Sequence, residues 1–437
     1  MTEKIGKRAC FVSPAVLAAL LVLSPVFAAG FERDDSGRGL RLTGSAGVGF
    51  DSYQEKYTIV EEDTLDSVNE FRTRLSLGLM TGSYLRDFFL LEGRTRYGDD
   101  SWESGARLRF SKLLGGGLSR VGIETDYTRR TFGEKSSYQF PNNFGRLYLR
   151  AYFKYNFDRA FALRVTDRLE SQDFENHTEF DYDYVRNKFS IGGEYDWDFT
   201  TLLDARLTVV SMEIPDSSEI EYRSLIPSIE VRSFAGLTKR GFVQAALERR
   251  EYVAGSPRSD FWSVLAIASG EWPLRPSFSL ALNNDFEWYV YDVKDEIYFD
   301  FLENRTALLF KLNHMYELSF GAGPAFGFLN SAVSDDDEYR EYGARFMLEY
   351  NRGIAAWLTA SYEPGKRIYS SYTGIETVDA PPLFSDYSYH RVSLFANMRI
   401  RDGIVLNCFA DYQPEDHIRE GDDATATLLS VSLTWTF

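Results

Sequence analysis

From Leu40 to the last residue, apolar and polar positions alternate with a period of two. Leu40, Leu42, Ala46, Val48 and Phe50 share one parity, as do Phe71, Leu75, Leu77 and Leu79. Leu147, Leu149, Ala151 and Phe153 follow, then Phe189, Ile191 and Tyr195, and later Leu358, Val392, Leu394 and Met398. The final set is Leu429, Val431, Leu433, Trp435 and Phe437. Alternation at 180° per residue is the mark of a strand with two unlike faces, and no comparable helical stripe occurs in this part of the chain. The pattern predicts 20 strands, or 18 if one hairpin is misassigned, the first over 40–50 and the last over 422–437. The parity of 260–271 is ambiguous. Pro227 and Pro324 fall inside strands, and a sheet without free edges should bulge at each.

Connections alternate between short and long. Gly115-Gly116-Gly117, Asn351-Arg352-Gly353 and Arg401-Asp402-Gly403 suit tight hairpins. Between them lie longer segments over 51–66, 131–143, 173–181, 331–337, 370–386 and 413–423. Short turns on one side and longer, acidic loops on the other are expected of an all-β, single, antiparallel up-and-down transmembrane barrel with the long loops outside the cell.

The charged positions decide between this and a soluble sandwich or propeller. On the parity opposite to the apolar one stand Arg72, Arg74, Arg94, Arg96, Arg107, Arg109, Arg120, Arg146, Arg150, Lys154 and Arg164, against Glu92, Glu124 and Asp126. A soluble barrel hides apolar side chains within; one that turns charge inward expects lipid outside. The later strands place Asp285, Glu287, Glu303, Glu317, Glu349, Glu363 and Asp411 inside, against Arg305, Lys311, Arg345, Arg391 and Arg399. The expected pore lining is therefore basic on one wall (Arg72 to Arg164) and more acidic on the other (Asp285, Glu287, Glu317, Glu349). Either these charges pair across strands, or they set a transverse field that selects charged or sugar-rich solutes.

Composition agrees. Aromatics make up 16% of the 437 residues and charged residues 26%, which excludes a bundle of membrane helices. The formal charge of −17 argues against nucleic-acid binding. Lys4, Lys7 and Arg8 precede an apolar run over 12–23 and the small residues of Val26-Phe27-Ala28, the layout of a signal peptide spanning 1–28. The barrel then occupies 29–437 as one domain with a charge of −19, because Lys4, Lys7 and Arg8 outnumber Glu3 in the removed part. Only Cys408 remains in it, on the apolar parity, so no internal disulfide can form.

The terminal strand Leu429-x-Val431-x-Leu433-x-Trp435-x-Phe437 resembles the C-terminal signal of Gram-negative outer-membrane β-barrel proteins of the porin type. That resemblance implies export through the periplasm, recognition by the barrel assembly machinery, and an outer membrane of lipid and lipopolysaccharide as surroundings. Gly47-Val48-Gly49-Phe50-Asp51-Ser52 also resembles the opening strand of barrels encoded with exopolysaccharide export systems.

Chemistry finds little footing. His177 and His417 are expected in long loops, His314 in a short turn and His390 in a strand. Asp416-His417 resembles the Asp–His pair of outer-membrane proteases, but no further paired carboxylates are placed beside it. Asp335-Asp336-Asp337-Glu338 and the acidic 51–66 loop lack ordered cation-binding spacing. No cofactor, metal site or catalytic residue is expected. The expectation is a channel passing small solutes or polysaccharide, open unless a loop such as 370–386, with Pro381-Pro382, folds in. The alternatives are a filled barrel anchoring an envelope complex and an outer-membrane hydrolase. No oligomeric interface is legible.

Overall fold

The computed structural model describes residues 40–437 apart from 60–61, 83–86, 116–118, 134–141, 178–180, 199, 216, 236–238, 296, 315–316, 333–337, 371–384 and 419–422. The signal-peptide expectation, most of the suggested inserted loop and the Asp335–Asp337 cluster lie outside the described residues.

Twenty strands follow in chain order: β1 (Arg41–Ile59), β2 (Glu62–Gly82), β3 (Phe88–Gly98), β4 (Ser101–Leu114), β5 (Ser119–Phe132), β6 (Phe144–Asn156) and β7 (Phe161–Phe174). Next come β8 (Tyr184–Asp196), β9 (Thr201–Glu213), β10 (Tyr222–Ala235), β11 (Lys239–Tyr252), β12 (Phe261–Arg275), β13 (Phe278–Tyr291) and β14 (Phe301–His314). The last are β15 (Leu318–Ser331), β16 (Tyr339–Asn351), β17 (Ala356–Tyr369), β18 (Tyr387–Arg401), β19 (Ile404–His417) and β20 (Ala424–Thr436). Each pairs antiparallel with its chain neighbour, and β1 pairs with β20 from Ser45↔Thr436 to Lys56↔Thr425, so the sheet closes on itself. Closure leaves no edge strand to satisfy. No helix among the described residues is long and apolar enough to cross a membrane.

Which face is inside follows from reach. Adjacent strands lie ~4.8 Å apart, so side chains two strands apart can meet only where the surface curves towards them. Lys154 on β6 reaches Glu194 on β8 (3.1 Å), Arg94 on β3 reaches Asp126 on β5 (2.6 Å), and Lys311 on β14 reaches Glu271 on β12 (3.0 Å). The polar parity is therefore concave. The other parity leaves Phe71, Ile123, Leu147, Ile191, Leu207, Val243 and Phe320 exposed around the outside. That combination needs hydrocarbon as its solvent. At one end Tyr155, Phe157, Phe161, Tyr195 and Trp197 add an aromatic band, with Tyr155 edge-on to Phe157 at 4.7 Å.

β1 and β2 run further than the expected 40–50 and 68–80: the segment read as a loop over 51–66 is largely ladder, with Asp51↔Glu70 and Glu55↔Asp66 in register. Hydrophobic alternation stops where lipid stops, but the hydrogen-bond ladder does not need lipid to continue. The expected bulges at Pro227 and Pro324 are absent. The β10–β11 register is the same at Leu225↔Arg249 and Ser228↔Ala246, and the β14–β15 register at Ala307↔Ala325 and Phe310↔Ala322. Each proline removes one donor and interrupts the ladder locally without inserting a residue. Register shifts occur instead beside turns, at Pro273/Arg275 and Arg399/Arg401. The ambiguous β12 turns Leu265 and Ile267 to the concave side with Ser263, and Trp262 and Trp272 outward. Gly353 (φ 60°) and Gly403 (φ 77°) occupy the left-handed region that tight turns require.

Eight outer hairpins end in the same way. The residue just before the returning strand accepts a hydrogen bond from the backbone N–H at the end of the preceding one. Asn143 takes Phe132 N, Asp183 takes Phe174 N, Glu221 takes Ile214 N and Asp260 takes Tyr252 N. Asp300 takes Tyr291 N, Glu338 takes Ser331 N, Asp386 takes Tyr369 N and Asp423 takes His417 N. The backbone carbonyls of Asn143, Glu221, Asp260, Asp300, Glu338 and Asp386 accept an N–H from the next outer hairpin: Glu175, Val253, Asp292, Ala332, Ser370 and Ile418. Where Asp183 would be used in this way, the corresponding residue is Pro215, which has no N–H. Replacing Asp260 by Ala should cost about 1.5–3 kcal/mol, the range for a hydrogen bond to a charged acceptor, as read from refolding equilibria. No measurable loss would mean that water seals the rim equally well.

The chain terminus is built into the closure. Phe437 exchanges both backbone hydrogen bonds with Gly44 (3.0 Å each). Its ring lies where a side chain on Gly44 would be, 2.6 Å from that position. Gly44→Leu and deletion of Phe437 should both lower the yield of heat-modifiable barrel. An unchanged yield in both variants would remove the terminal seam from barrel formation.

Candidate functional site

The expected lumen residues Arg72, Arg74, Arg94, Arg96, Arg107, Arg109, Arg146, Arg150, Arg164, Asp285, Glu287 and Glu349 all stand on the concave parity. Glu317 does not belong to a strand: it sits exposed in the turn before β15. The structure divides the remaining residues by their partners.

On β2–β5 most of the arginines are paired; Arg74, opposite Arg96 in register, is in no ion pair among the described residues. Arg72 meets Asp51 and Glu70 (3.7 Å to the latter); Arg96 meets Glu70 (3.4 Å) and Glu103 (3.9 Å). Arg107 holds Asp126 (2.9 Å) and Arg109 holds Glu124 (2.6 Å). The sequence count missed Glu70 and Glu103, so this wall is less basic than the count implied. The far wall pairs in part: Asp285 and Glu287 are in no ion pair among the described residues, but Glu341, only 4% exposed, takes Arg367 (2.8 Å), Arg391 (2.8 Å) and the Tyr389 hydroxyl (3.0 Å). Arg345 holds Glu363, and Lys311 bridges Glu271 and Glu349.

On β6–β8 one row lacks pairing. Strand register sets three rows across the concave face there. In the first, Arg150 stands opposite Arg168, and Arg168 opposite Lys188. Two residues along, the second is hydroxylated: Tyr152 opposite Thr166, Thr166 opposite Ser190, Ser190 opposite Thr208. Two further, the third runs Arg120, Lys154, Arg164, Gly192, Arg206. Together they line a recess of about 350 Å³ that contains seven cationic side chains and no carboxylate.

The two basic rows differ. In the third, Glu194 takes Lys154 (3.1 Å) and Arg164, and Asp204 takes Arg164 (3.5 Å) and Arg206 (3.2 Å). In the first, no carboxylate among the described residues lies within ion-pair distance of Arg150, Arg168 or Lys188. Their neighbours are rings: Tyr152 at 5.3 Å from Arg150 and Tyr148 at 5.4 Å from Arg168. Arg150 Nε is buried with no acceptor. Like charges directly opposite on adjacent strands are destabilising, so the Arg150–Arg168–Lys188 contacts cost the barrel stability, offset at the Arg150 end where Glu124 stands opposite in register. Gly192 puts no side chain into the recess it lines, and the close β9 backbone demands glycine there: a Cβ would come within 2.6 Å of the Ala205 carbonyl oxygen. A second recess shares Arg168 and Lys188 and climbs to the outer rim, where charges alternate: Arg186 on Glu170 (2.6 Å) and Arg250 on Glu248 (2.9 Å).

Arg150, Lys154, Arg164 and Arg120 were legible from parity. Arg168, Lys188 and Arg206 carry the same signal, opposite Leu169, Phe189 and Leu207, but their convergence needs the register. Outside the lumen, Asp292 beyond β13 is held below the ordinary carboxylate range by the Arg249 fork (2.9 and 2.7 Å). His417 ends β19 rather than lying in a loop; it stacks on Tyr387 (4.5 Å), and its Nδ1 is 2.9 Å from Ser385 Oγ. Asp416 is its chain neighbour in a strand and so faces the opposite way, which separates the protease-like pair. His314 ends β14, His390 stacks on Tyr362 on the convex side (6.0 Å), and His177 stands beside Asp183 (3.2 Å).

No known family profile matches the chain, and no curated protein is similar to it in sequence. Among solved structures, the outer membrane protein OpdK of Pseudomonas aeruginosa is 12% identical, with 90% of this chain and 99% of that one covered and a TM-score of 0.47. A BenF-like porin from Pseudomonas fluorescens Pf-5 is 11% identical, covering 91% and 99%, at 0.49. The ferric enterobactin receptor of Pseudomonas aeruginosa is 10% identical, covering 90% and 80%, at 0.47. The likeness is thus to an outer membrane protein, a porin and a receptor alike, at identities that transfer no solute and no residue role.

Proposed function

We propose that this chain is an outer-membrane channel for small anionic solutes. The reading is carried by the Arg150–Arg168–Lys188 row, a strip of positive charge without ion pairs among the described residues, on the concave wall of a barrel whose other described lumen charges are largely paired. A lumen lined by one sign of charge concentrates the opposite ion. Arginine suits the task because its fork binds carboxylate or phosphate in two places and it stays charged when partly desolvated. The outer-membrane setting is supported by the convex apolar face, the aromatic band and the terminal strand ending in Phe437. Nothing among the described residues or the similar structures supports the resemblance to exopolysaccharide export barrels.

Single-channel recording of the purified protein in planar bilayers tests the proposal. Stepwise conductance, with a reversal potential in a KCl gradient that moves towards chloride as salt is lowered, is the expected result. The Debye length grows from ~10 Å at 0.1 M to ~30 Å at 0.01 M, so the row acts over more of the lumen at low salt. A folded barrel that does not conduct would favour the filled, anchoring alternative.

A further inference from the structure

We infer that the β5–β9 recess is a binding site for a dianionic head on a hydroxylated body, the chemistry of a sugar phosphate, and that the first basic row receives the head; this rests on the channel reading. Charge balance selects the head. Arg150, Arg168 and Lys188 bring three positive charges, none of them in an ion pair among the described residues; Glu124, opposite Arg150 in register, is taken by Arg109. A carboxylate brings one negative charge and two acceptor oxygens. A phosphomonoester brings roughly 1.5–2 charges at neutral pH and three acceptor oxygens. Two guanidinium forks and an ammonium, converging from three adjacent strands, match the second set.

The rows fix the direction of the body. The hydroxylated row begins two residues from the first, about 7 Å along the strands. Thr166 at its centre has no polar partner among the described residues, whereas Ser190 is engaged with Thr208 at 2.9 Å. Beyond it, Glu194 and Asp204 already answer much of the third row's charge, so a second strong anion is not needed there. Neutral hydroxyl groups of a sugar ring fit between Thr166, Tyr152 and the half-compensated row, with Gly192 leaving room for the ring.

Isothermal titration in detergent at low ionic strength tests this without requiring conduction, so it fails separately from the channel reading. Glucose 6-phosphate, glucuronate, inorganic phosphate and glucose are the probes. Glucose 6-phosphate should bind about tenfold more tightly than glucuronate, the worth of one further charge-assisted hydrogen bond, and more tightly than inorganic phosphate. Arg168→Gln with Lys188→Gln should abolish that preference. The same double variant should melt no lower than the parent without ligand, because it relieves a like-charge row; a residue pair kept for structure would give the opposite shift. Thr166→Val should weaken glucose 6-phosphate while leaving inorganic phosphate unchanged. Equal affinity for glucuronate and glucose 6-phosphate would overturn the dianion. Inorganic phosphate binding as well as glucose 6-phosphate would overturn the hydroxylated body, and no binding by any probe would overturn the site.

Discussion

Reversing Arg150, Arg168 and Lys188 to glutamate should move the anion-to-cation permeability ratio by about tenfold or more towards cations, the lower end of what a one-signed cleft does to local ion concentration. Reversal potentials in a KCl gradient measure it, and the shift should grow as salt is lowered. The control is a pair rather than a residue. Arg232→Gln with Glu230→Gln removes a bonded couple on β10, away from the row, leaves the lumen charge unchanged and should leave the ratio nearly where it was. A reversal set of Arg107, Arg109, Arg146 and Arg150 would mix bonded and unbonded arginines. It would also load Asp126 and Glu124 with like neighbours, so loss of folding would obscure the selectivity. The acidic outer loops act on the mouth, so the direction of the shift matters and not its starting sign. If the two sets moved the ratio equally, pairing would be irrelevant to the pore and the β6–β8 row would lose its distinction.

An arginine on the lipid face should be the most damaging single change in stability. Leu394 lies mid-strand on the convex side of β18, and Leu394→Arg should cost ~2–4 kcal/mol in refolding from denaturant. Ser393→Arg, one residue earlier, enters the water-filled side directly opposite Asp411 and should cost less than ~1 kcal/mol. Ile191 (40% exposed), Leu77, Phe153 and Leu358 share Leu394's parity class and should rank with it in proportion to depth. The reverse order for the Leu394 and Ser393 variants would show that the concave and convex faces had been exchanged.

Much of this was legible before any coordinates, and the rest was hidden for physical reasons. Parity separated Phe153 from Lys154 and Leu394 from Ser393 because each strand meets lipid on one side and water on the other. It was silent on β12, where Leu265 and Ile267 are apolar on the wet side and Val264, Ala266 and Ala268 are apolar on the dry side. It stopped early on β1, where both sides of the hairpin beyond Phe50 meet water. The Pro227 and Pro324 bulges failed because a missing donor was equated with an extra residue. The site was half-visible for a similar reason. Parity says that Arg150, Arg168 and Lys188 face inward, but register decides that they stand side by side while Arg107 finds Asp126. Register comes from the ladder, and a single alternating sequence leaves it free to slide by twos.

The rim hydrogen bonds bear on how such a barrel can change size. Each of the eight outer hairpins carries its own closure in the carboxylate or amide before its second strand. In six of them the backbone carbonyl of that same residue waits for whichever hairpin comes next. A duplicated or deleted hairpin would therefore arrive with its own donor and acceptor and meet the standard socket on its neighbour, orphaning no backbone group at the mouth. The circumference is free to evolve in steps of two strands, with each such hairpin behaving as an interchangeable stave, and Pro215 marks a joint where the socket has gone unused.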